Sequence, residues 1–284
     1  MPGAWRMKKI GIALGGGGAK GLCHALMLEV VDEFGIKLEK VAGTSIGAIV
    51  GVLYASGQSG KEMREHIENM SLSEDDSFTD ALTKKDILKW FRFIDINWKD
   101  GGLLKADTFL DNLMEGVKVA EFEELEIPLN VVAADFWQRD QVVFQSGDIR
   151  SAVHASMAIP GIFNPVINGK QVLVDGGVVN PVPYDLLADN CDLTIAIDVM
   201  GNRTESADLI PSLSETIFNS FSIMQKSILR QKVAADPPDI YIAPDIVDIQ
   251  MLEFYKAEEV FRQAQPAADQ LRKELEKHLS SSSP

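Results

Sequence analysis

Residues 10–21 read IGIALGGGGAKG, and this stretch decides the fold class. Its five apolar residues predict a strand that runs directly into four consecutive glycines. A helix is predicted after the glycines and before Gly35, because apolar residues recur there at helical spacing: Leu22, Leu26, Val30 and Phe34. A strand, a glycine turn and a helix therefore follow one another at the start of the chain.

The same order repeats at once. Residues 40–42 predict a second strand, GTSIG at residues 43–47 is a second glycine turn, and the small and apolar residues 48–55 predict a tightly packed helix. Two such units in succession are typical of an α/β fold with a mainly parallel sheet. Further strands are predicted from apolar runs of the kind found in strands covered on both faces, at residues 129–134, 141–145, 171–174, 193–199 and 240–243.

The rest of the chain predicts two long helices and one unusual segment. The helices are expected at residues 212–235, with Ser212 as a cap, and at residues 254–278, where Pro266 is expected to kink or break the helix. Residues 71–105 are acidic at first and then crowded with aromatic residues, which favours a core-packing insert; the alternatives are a lid or an apolar surface that meets lipid. We predict one domain over residues 1–279 with this cap or insert, and a disordered tail at residues 280–284.

Composition excludes several classes of partner. The net charge of −15 over 284 residues argues against nucleic acid, which needs a surplus of Lys and Arg. It also argues against adsorption to anionic membranes by charge alone, although an apolar patch would still allow transient contact with a membrane surface. Cys23 and Cys191 provide neither a disulfide framework nor a zinc cluster. With no signal-peptide core and no bilayer-spanning run, the sequence predicts a cytoplasmic protein.

GTSIG fits the G-x-S-x-G pattern of a nucleophile elbow, with Ser45 at its centre and Gly43 and Gly47 on either side. In such an elbow a serine sits on a sharp turn between a strand and a helix, where a neighbouring Cβ would clash with backbone. The pattern alone is weak, and the alternative is a helix start without chemistry. Its position between a predicted strand and a helix of small residues favours the elbow.

The first glycine turn has two interpretations. Several backbone N–H groups at the start of a helix would stabilise a negative charge, either a bound phosphate or the oxyanion of an acyl-transfer reaction. Gly16, Gly18 and Gly21 also satisfy G-x-G-x-x-G, which makes dinucleotide binding the rival. A dinucleotide site requires an acidic residue at the end of the second strand, where this chain has GTS. We therefore favour the serine chemistry.

Three aspartates follow predicted strands and compete for the role of base. Asp175 is followed by Gly176 and Gly177, which let another segment approach, whereas Asp135 and Asp198 lack paired glycines. The ordinary alternative for Asp175 is a turn residue. A serine hydrolase usually employs a histidine, and the candidates are His24, His66, His154 and His278. His154 lies before a Pro-Gly pair and is the histidine most able to approach the site, but a carboxylate base is the favoured interpretation.

Taken together, these motifs resemble the patatin-like phospholipase family, in its small bacterial-type branch. The resemblance covers residues 10 to about 271 and includes GGGGAKG, GTSIG, ASMAIPGIF at residues 155–163 and VDGGVVNPVP at residues 174–183. It implies a three-layer α/β/α fold with a mainly parallel central sheet, without a metal or a cofactor. Family members often have Asp where this chain has Gly15, and many have Arg where it has Lys20.

The resemblance also implies the roles of individual residues. Ser45 would be the nucleophile and Asp175 the base of a Ser–Asp dyad without histidine. The backbone amides of Gly16, Gly17 and Gly18 would form the oxyanion hole. The supporting motif residues would be Lys20, Gly21, Gly43, Gly47, Gly176 and Gly177.

The function predicted from the sequence is therefore a serine esterase that cleaves acyl esters, with lipid as the expected substrate. Two alternatives stay open: a dinucleotide-binding oxidoreductase, and a catalytically idle adaptor with the same fold. The sequence does not predict the oligomeric state, the acyl-chain length or the headgroup of the substrate.

Overall fold

A computed structural model describes residues 8–72, 110, 113, 114, 116–204, 210 and 213–280. All but the first two residues of the predicted cap or insert at residues 71–105 lie outside this part of the chain. Ser212, expected as a helix cap, and residues 281–284 of the predicted tail lie outside it as well. Ser280, which was also assigned to the tail, is the last residue of a helix.

An eight-stranded sheet forms the centre of the protein. Its strands are β1 (Ile10–Leu14), β2 (Leu38–Thr44), β3 (Leu129–Asp135), β4 (Asp140–Phe144), β5 (Val166–Asn168), β6 (Gln171–Asp175), β7 (Leu193–Ile197) and β8 (Ile240–Ile242). The order is β5-β6-β3-β2-β1-β7-β8, and β4 pairs with β3. Strands β3, β2, β1, β7 and β8 pair in parallel, whereas the pairs β3–β4, β3–β6 and β5–β6 are antiparallel. The predicted mainly parallel sheet is confirmed.

Helices cover both faces of the sheet, as the predicted three-layer α/β/α fold requires. Within the described residues they are α1 (His24–Glu33), α2 (Ile46–Ala55), α3 (Gly60–Leu72), α4 (Ile149–Ser156), α5 (Leu213–Ala235) and α6 (Ala257–Ser280). Successive residues of a strand point to opposite faces. Ile12 and Leu14 therefore join the large core under α1, α2 and α6, while Ala13 joins a smaller core with Leu229 of α5.

All the strands predicted from apolar runs are present within one or two residues of their predicted bounds. The helix α4 and the short strand β5 were not predicted. Of the two effects expected at Pro266, the break is wrong, because α6 continues through this residue, and the kink stays a prediction. Buried side chains lie on both sides of the proline, including Phe261 and Leu271, and α6 packs against α1. This tertiary packing offsets the hydrogen bond that a proline removes from a helix.

A membrane-spanning helix would need about 20 predominantly apolar residues in succession. Among the described residues, no helix combines that length with so apolar a composition.

Candidate active site

Ser45 occupies a sharp turn between β2 and α2. Its backbone has φ 55° and ψ −124°, in the left-handed region that a residue with a side chain rarely adopts. A Cβ on Gly47 would clash with the carbonyl oxygen of Leu14, and a Cβ on Gly43 would clash with that of Gly47. Glycine is therefore required on both sides of the serine, and the predicted elbow geometry is present. Ser45 is only 5% exposed.

The glycine loop joins β1 to a 3-10 turn, Gly18–Cys23, and passes beside the elbow. A Cβ added to Gly16 would lie 3.3 Å from the Cβ of Ser45. Gly18 has φ +59°, and a Cβ there would clash with the carbonyl oxygen of Met251. Gly21 packs directly on the side chain of Ile46, the first residue of α2. The four-glycine run thus allows the loop to approach the serine without side chains in between.

The loop's backbone amides are not equivalent. The N–H of Gly15 donates to the carbonyl of Ile197 at 3.0 Å, and that of Gly16 donates to the carbonyl of Pro181 at 2.9 Å. The amide of Gly16 is therefore already occupied. The next amides along the loop are those of Gly17 and Gly18, at the start of the 3-10 turn, where N–H groups have no partner within the helix.

Strand register brings Asp175 to the elbow. Val132 of β3 pairs with Thr44, the residue before Ser45, and the next residue, Ala133, pairs with Asp175. Asp175 is 2% exposed, and its Oδ1 accepts a 2.7 Å hydrogen bond from the N–H of Gly177. A Cβ on Gly176 would clash with the carbonyl oxygen of Val132, so this glycine lets the turn lie against β3. The structure thus brings together the serine and the aspartate that the sequence selected.

The environment of Asp175 favours its protonated form. Burial raises the pKa of its carboxyl group to about 6, while hydrogen bonds from the Ser45 hydroxyl and the Gly177 N–H act in the opposite direction. A buried carboxylate that has one mobile hydroxyl as a partner is able to exchange a proton with it. The arrangement therefore suits acid–base chemistry at the Ser45 oxygen.

The two competing aspartates, Asp135 and Asp198, hold local structure in place through hydrogen bonds. The carboxylate of Asp135 accepts hydrogen bonds from the N–H groups of Trp137 and Gln138, both at 3.0 Å, and caps the turn between β3 and β4. Asp198 accepts from the N–H of Met200 at 2.9 Å and from the hydroxyl of Tyr241 at 2.7 Å. Both hold local backbone or side chains in place.

Two basic side chains of the site region are buried. Lys20 lies with its Nζ 3.4 Å from the carbonyl oxygen of Ile249, and burial together with the nearby Lys226 lowers its pKa to about 8. His24 is fully buried, its Nε2 lies 2.8 Å from the carbonyl oxygen of Gly15, and burial lowers its pKa to about 4. Both therefore hold the glycine loop or the segment next to it. His154, the alternative base, lies partly buried on α4, whereas the hydroxyl of Ser45 interacts with Asp175.

Sequence reasoning missed three residues near Ser45 and Asp175. Ser156 is fully buried and accepts a 2.8 Å hydrogen bond from the N–H of Ser45. The backbone carbonyl of Asn180 accepts from the Thr44 hydroxyl at 2.8 Å. Gln225 of α5 is buried against Gly177. Ser156 and Asn180 belong to the quoted motifs ASMAIPGIF and VDGGVVNPVP, whereas Gln225 lies in a helix whose pattern gives no such signal.

A buried carboxylate next to an elbow serine, at the carboxyl edge of a mostly parallel sheet, defines the class of the protein: an α/β protein with the layout of a serine hydrolase. Residues 12–188 match the family model described as patatin-like phospholipase. This match covers more than half of the chain, so the protein belongs to the patatin-like phospholipase family.

Relatives share the sequence over most of this chain. An uncharacterized NTE family protein of Mycobacterium tuberculosis is 33% identical over 213 residues, which are 74% of this chain and 55% of that relative. The chain thus spans about half the length of this curated relative. The neuropathy target esterase sws of Drosophila melanogaster is 29% identical over 194 residues, 67% of this chain and 13% of that protein. The lysophospholipase NTE1 of Kluyveromyces lactis is 23% identical over 277 residues, 89% of this chain and 18% of that protein.

Solved structures show a more distant likeness. VipD from Legionella pneumophila has a TM-score of 0.49 and 18% identity, over 93% of this chain and 67% of that one. The ExoU–SpcU complex of Pseudomonas aeruginosa has a TM-score of 0.44 and 17% identity, over 95% of this chain and 52% of that one. The fold assignment rests on the observed sheet and on the family match.

Proposed function

We propose that this protein is a serine hydrolase that cleaves carboxylic acyl esters of lipids, with Ser45 as the nucleophile and Asp175 as the base. The observation that carries the proposal is the placement of Ser45, on its strained elbow, beside the buried Asp175 carboxyl group through the register of β2, β3 and β6. Membership of the patatin-like phospholipase family supports lipid as the substrate class. The names of two relatives, an esterase and a lysophospholipase, agree with ester hydrolysis.

In the first step the ionised Asp175 accepts the proton of the Ser45 hydroxyl, and the serine oxygen attacks the ester carbonyl carbon. The carbonyl electrons move onto the oxygen, and the N–H groups of Gly17 and Gly18 stabilise the resulting oxyanion. The N–H of Gly16 was predicted as a third donor. To act as one, it would first have to break its hydrogen bond to the carbonyl oxygen of Pro181.

In the second step the tetrahedral intermediate collapses. The ester's alcohol leaves with the proton that Asp175 received, and the acyl group remains on Ser45. Asp175 then takes a proton from water, which attacks the acyl-serine, and the serine oxygen recovers that proton as the fatty acid departs. One carboxyl group therefore serves both half-reactions as base and then as acid.

The proposal is tested by labelling with a fluorophosphonate probe, followed by intact mass and peptide mapping. We expect one adduct on Ser45, no adduct in Ser45→Ala, and a loss of ester hydrolysis in that variant of at least about 10³-fold. The matched control Ser227→Ala changes an exposed serine of α5 and should leave both readouts unchanged. Labelling elsewhere, or wild-type hydrolysis by Ser45→Ala, would refute the assignment. A folded protein without adduct or hydrolysis would favour the idle adaptor.

No specific observation favours the dinucleotide-binding alternative. β2 ends at Thr44 and continues directly into Ser45, so the acidic residue that a ribose requires at the end of the second strand is missing. The carbonyl oxygens of Val199 and Met251 also lie against Gly17 and Gly18. We therefore do not propose this function.

We further propose that the protein makes transient contact with a lipid surface through the turn between β3 and β4. Phe136 and Trp137 are 51% and 71% exposed there, with ring centroids 5.0 Å apart. Ile167, 69% exposed, lies near them, because Val172 pairs with Ile167 and its carbonyl accepts a 2.8 Å hydrogen bond from the N–H of Phe136. The turn follows the carboxyl end of β3, the same edge of the sheet that carries Ser45. Exposed aromatic side chains of this kind suit a membrane–water interface.

This contact is tested with vesicles of zwitterionic phosphatidylcholine, because the net charge of −15 disfavours anionic lipid. The double variant Phe136→Ser/Trp137→Ser should co-float with vesicles several-fold less than the wild type and hydrolyse vesicle lipid more slowly. A soluble short-chain ester is the control substrate, and its hydrolysis should be unchanged. Equal flotation of both proteins would overturn the proposed contact.

Three expectations from the sequence stay predictions. They are the cytoplasmic location, the single hydrolase domain over residues 1–279, and the cap or insert at residues 71–105.

A further inference from the structure

We propose that Ser156 is a positioning residue for the Ser45–Asp175 pair, and that the turn from Ser156 to Ala158 holds the backbones of both. The inference rests on the proposed function, since it assigns Ser156 a role in that reaction. Ser156 is the last residue of α4 and is fully buried.

The hydroxyl of Ser156 has a fixed orientation. It donates a 2.6 Å hydrogen bond to the carbonyl oxygen of Val132 on β3 and accepts a 2.8 Å hydrogen bond from the N–H of Ser45. A hydroxyl has one proton to donate. Because Ser156 donates it to the carbonyl oxygen of Val132, a lone pair of the hydroxyl oxygen is directed at the N–H of Ser45. Ser156 thus ties the amide of the elbow serine to the central sheet.

The backbone of Ser45 needs such a partner. A non-glycine residue with φ 55° is strained and persists only where its surroundings hold it. The N–H of Ser45 is buried in the elbow, and Ser156 supplies the acceptor that it requires. Helix α2 satisfies only the carbonyl of Ser45, which accepts hydrogen bonds from the N–H groups of Ala48 and Ile49.

Two residues further on, the same turn holds the base. The carbonyl oxygen of Ala158 accepts a 2.9 Å hydrogen bond from the N–H of Asp175. The turn itself is anchored, because the N–H of Met157 donates to the carbonyl of Val153 at 3.0 Å. Three consecutive residues therefore add a second connection, besides the strand register, between the backbones of Ser45 and Asp175. The serine oxygen and the carboxylate depend on the separation between these backbones for their alignment.

The test compares three variants in one assay with a soluble short-chain ester. Ser156→Ala removes the hydroxyl, Ser156→Cys keeps the size of the side chain but is a weak acceptor, and Ser156→Thr keeps the hydroxyl. Ser151→Ala, on the exposed face of the same helix, is the matched control. Circular dichroism and thermal melting verify folding. Ser156→Cys supplies the comparison if Ser156→Ala fails to fold.

We expect Ser156→Ala and Ser156→Cys to lower kcat by roughly 10–100-fold, with KM changed less than about threefold, because a misplaced reacting group slows the chemical step without weakening substrate binding. Their fluorophosphonate labelling should slow in proportion. Ser156→Thr should recover most of the rate, and Ser151→Ala should match the wild type. The acid limb of the pH–rate profile should move to higher pH in Ser156→Ala, because the Ser45 hydroxyl lowers the pKa of Asp175.

A folded Ser156→Ala or Ser156→Cys with wild-type kcat and an unmoved acid limb would overturn the positioning role. A Ser156→Thr that melts at the wild-type temperature and is still as slow as Ser156→Ala would also overturn it, because the hydroxyl would then be present without restoring the rate. Ser45→Ala in the same assay separates the two claims. If Ser45→Ala is inactive while Ser156→Ala is as active as the wild type, the proposed function stands and the positioning role fails. If Ser45→Ala is active, both fail.

Discussion

Asp135 and Asp175 end two strands that pair with each other, yet the pKa values of their carboxyl groups are shifted in opposite directions, downward by hydrogen bonds at Asp135 and upward by burial at Asp175. The turn after β3 directs the N–H groups of Gln138 and Trp137 at Asp135, and these hydrogen bonds lower its pKa. The turn after β6 directs one N–H, from Gly177, at Asp175, and burial raises its pKa to about 6. Both side chains are nearly inaccessible, at 4% and 2% exposed.

This difference separates Asp135, a turn aspartate, from Asp175, the proposed base. Backbone donors do not change their positions during a reaction. Asp135 accepts from two of them and from the Gln171 amide, so its carboxylate stays ionised and holds the turn. Asp175 has a hydroxyl as its second partner, and a hydroxyl is able to give up its proton. Hydrogen bonds that favour the ionised form at Asp135, and desolvation that disfavours it at Asp175, therefore distinguish the two residues.

The largest expected effect is on the rate. Asp175→Asn should lower kcat by at least about 10³-fold, because an amide is unable to accept the serine proton. Asp135→Asn should remain within about threefold of the wild type, since an amide oxygen still accepts the turn's hydrogen bonds. Steady-state kinetics on a soluble ester measure both. Similar losses of kcat in the two variants would show that the two aspartates do not differ in their roles.

A smaller effect is expected on the pH dependence of kcat/KM. The base must be ionised, so activity should fall about tenfold for each pH unit below the pKa of Asp175, which lies at about 6. Asp135→Asn should show the same acid limb as the wild type. An acid limb near pH 4, the ordinary value for a carboxyl group, would mean that Asp175 is not the titrating base.

The smallest expected effect is on stability, and its sign differs between the two residues. Because the pKa of Asp175 is raised on folding, its contribution is fully present below the unfolded pKa and is lost as the pH rises through about 6. Asp175→Asn is never ionised and should be more stable than the wild type at pH 8, by roughly 1–3 kcal/mol. The gain should disappear near pH 4.

The effect on stability is expected to have the opposite sign at Asp135. Its pKa is lowered on folding, so its contribution is present above the unfolded pKa and is lost as the pH falls. Asp135→Asn should therefore be less stable than the wild type at pH 8, and denaturant melts at pH 4 and pH 8 measure both variants. A loss of stability at pH 8 in Asp175→Asn would show that this carboxylate is held in place like that of Asp135.

The sequence predicted the features that depend on neighbours in the chain. The elbow around Ser45 depends on glycines two residues away, and the position of Asp175 depends on a strand before it and glycines after it. Both signals are local, and the structure brings the two residues together. The mainly parallel sheet was predictable for the same reason, since each strand is a short apolar run.

Features that depend on distant residues were not predictable in this way. The hydrogen bond from Ser45 to Ser156 joins positions 111 residues apart. The antiparallel placement of β6 beside β3 follows from pairing and not from composition. Pro266 signals a helix break locally, yet the packing of α6 on α1 retains the helix. In each case a tertiary contact determines the structure, and no sequence pattern within a few residues indicates that contact.

The supports of the glycine loop have a consequence for protein engineering. The family match ends at residue 188, but Gly15 donates to Ile197 and Ala19 donates to Met251, both beyond that point. β7 also pairs with β1 and separates it from the sheet edge. A recombinant fragment trimmed to the matched residues would leave β1 as an exposed edge strand, prone to aggregation, and the loop without two of its acceptors. Chimeras with relatives should therefore exchange segments as far as residue 280, so that the loop and its supports come from one parent.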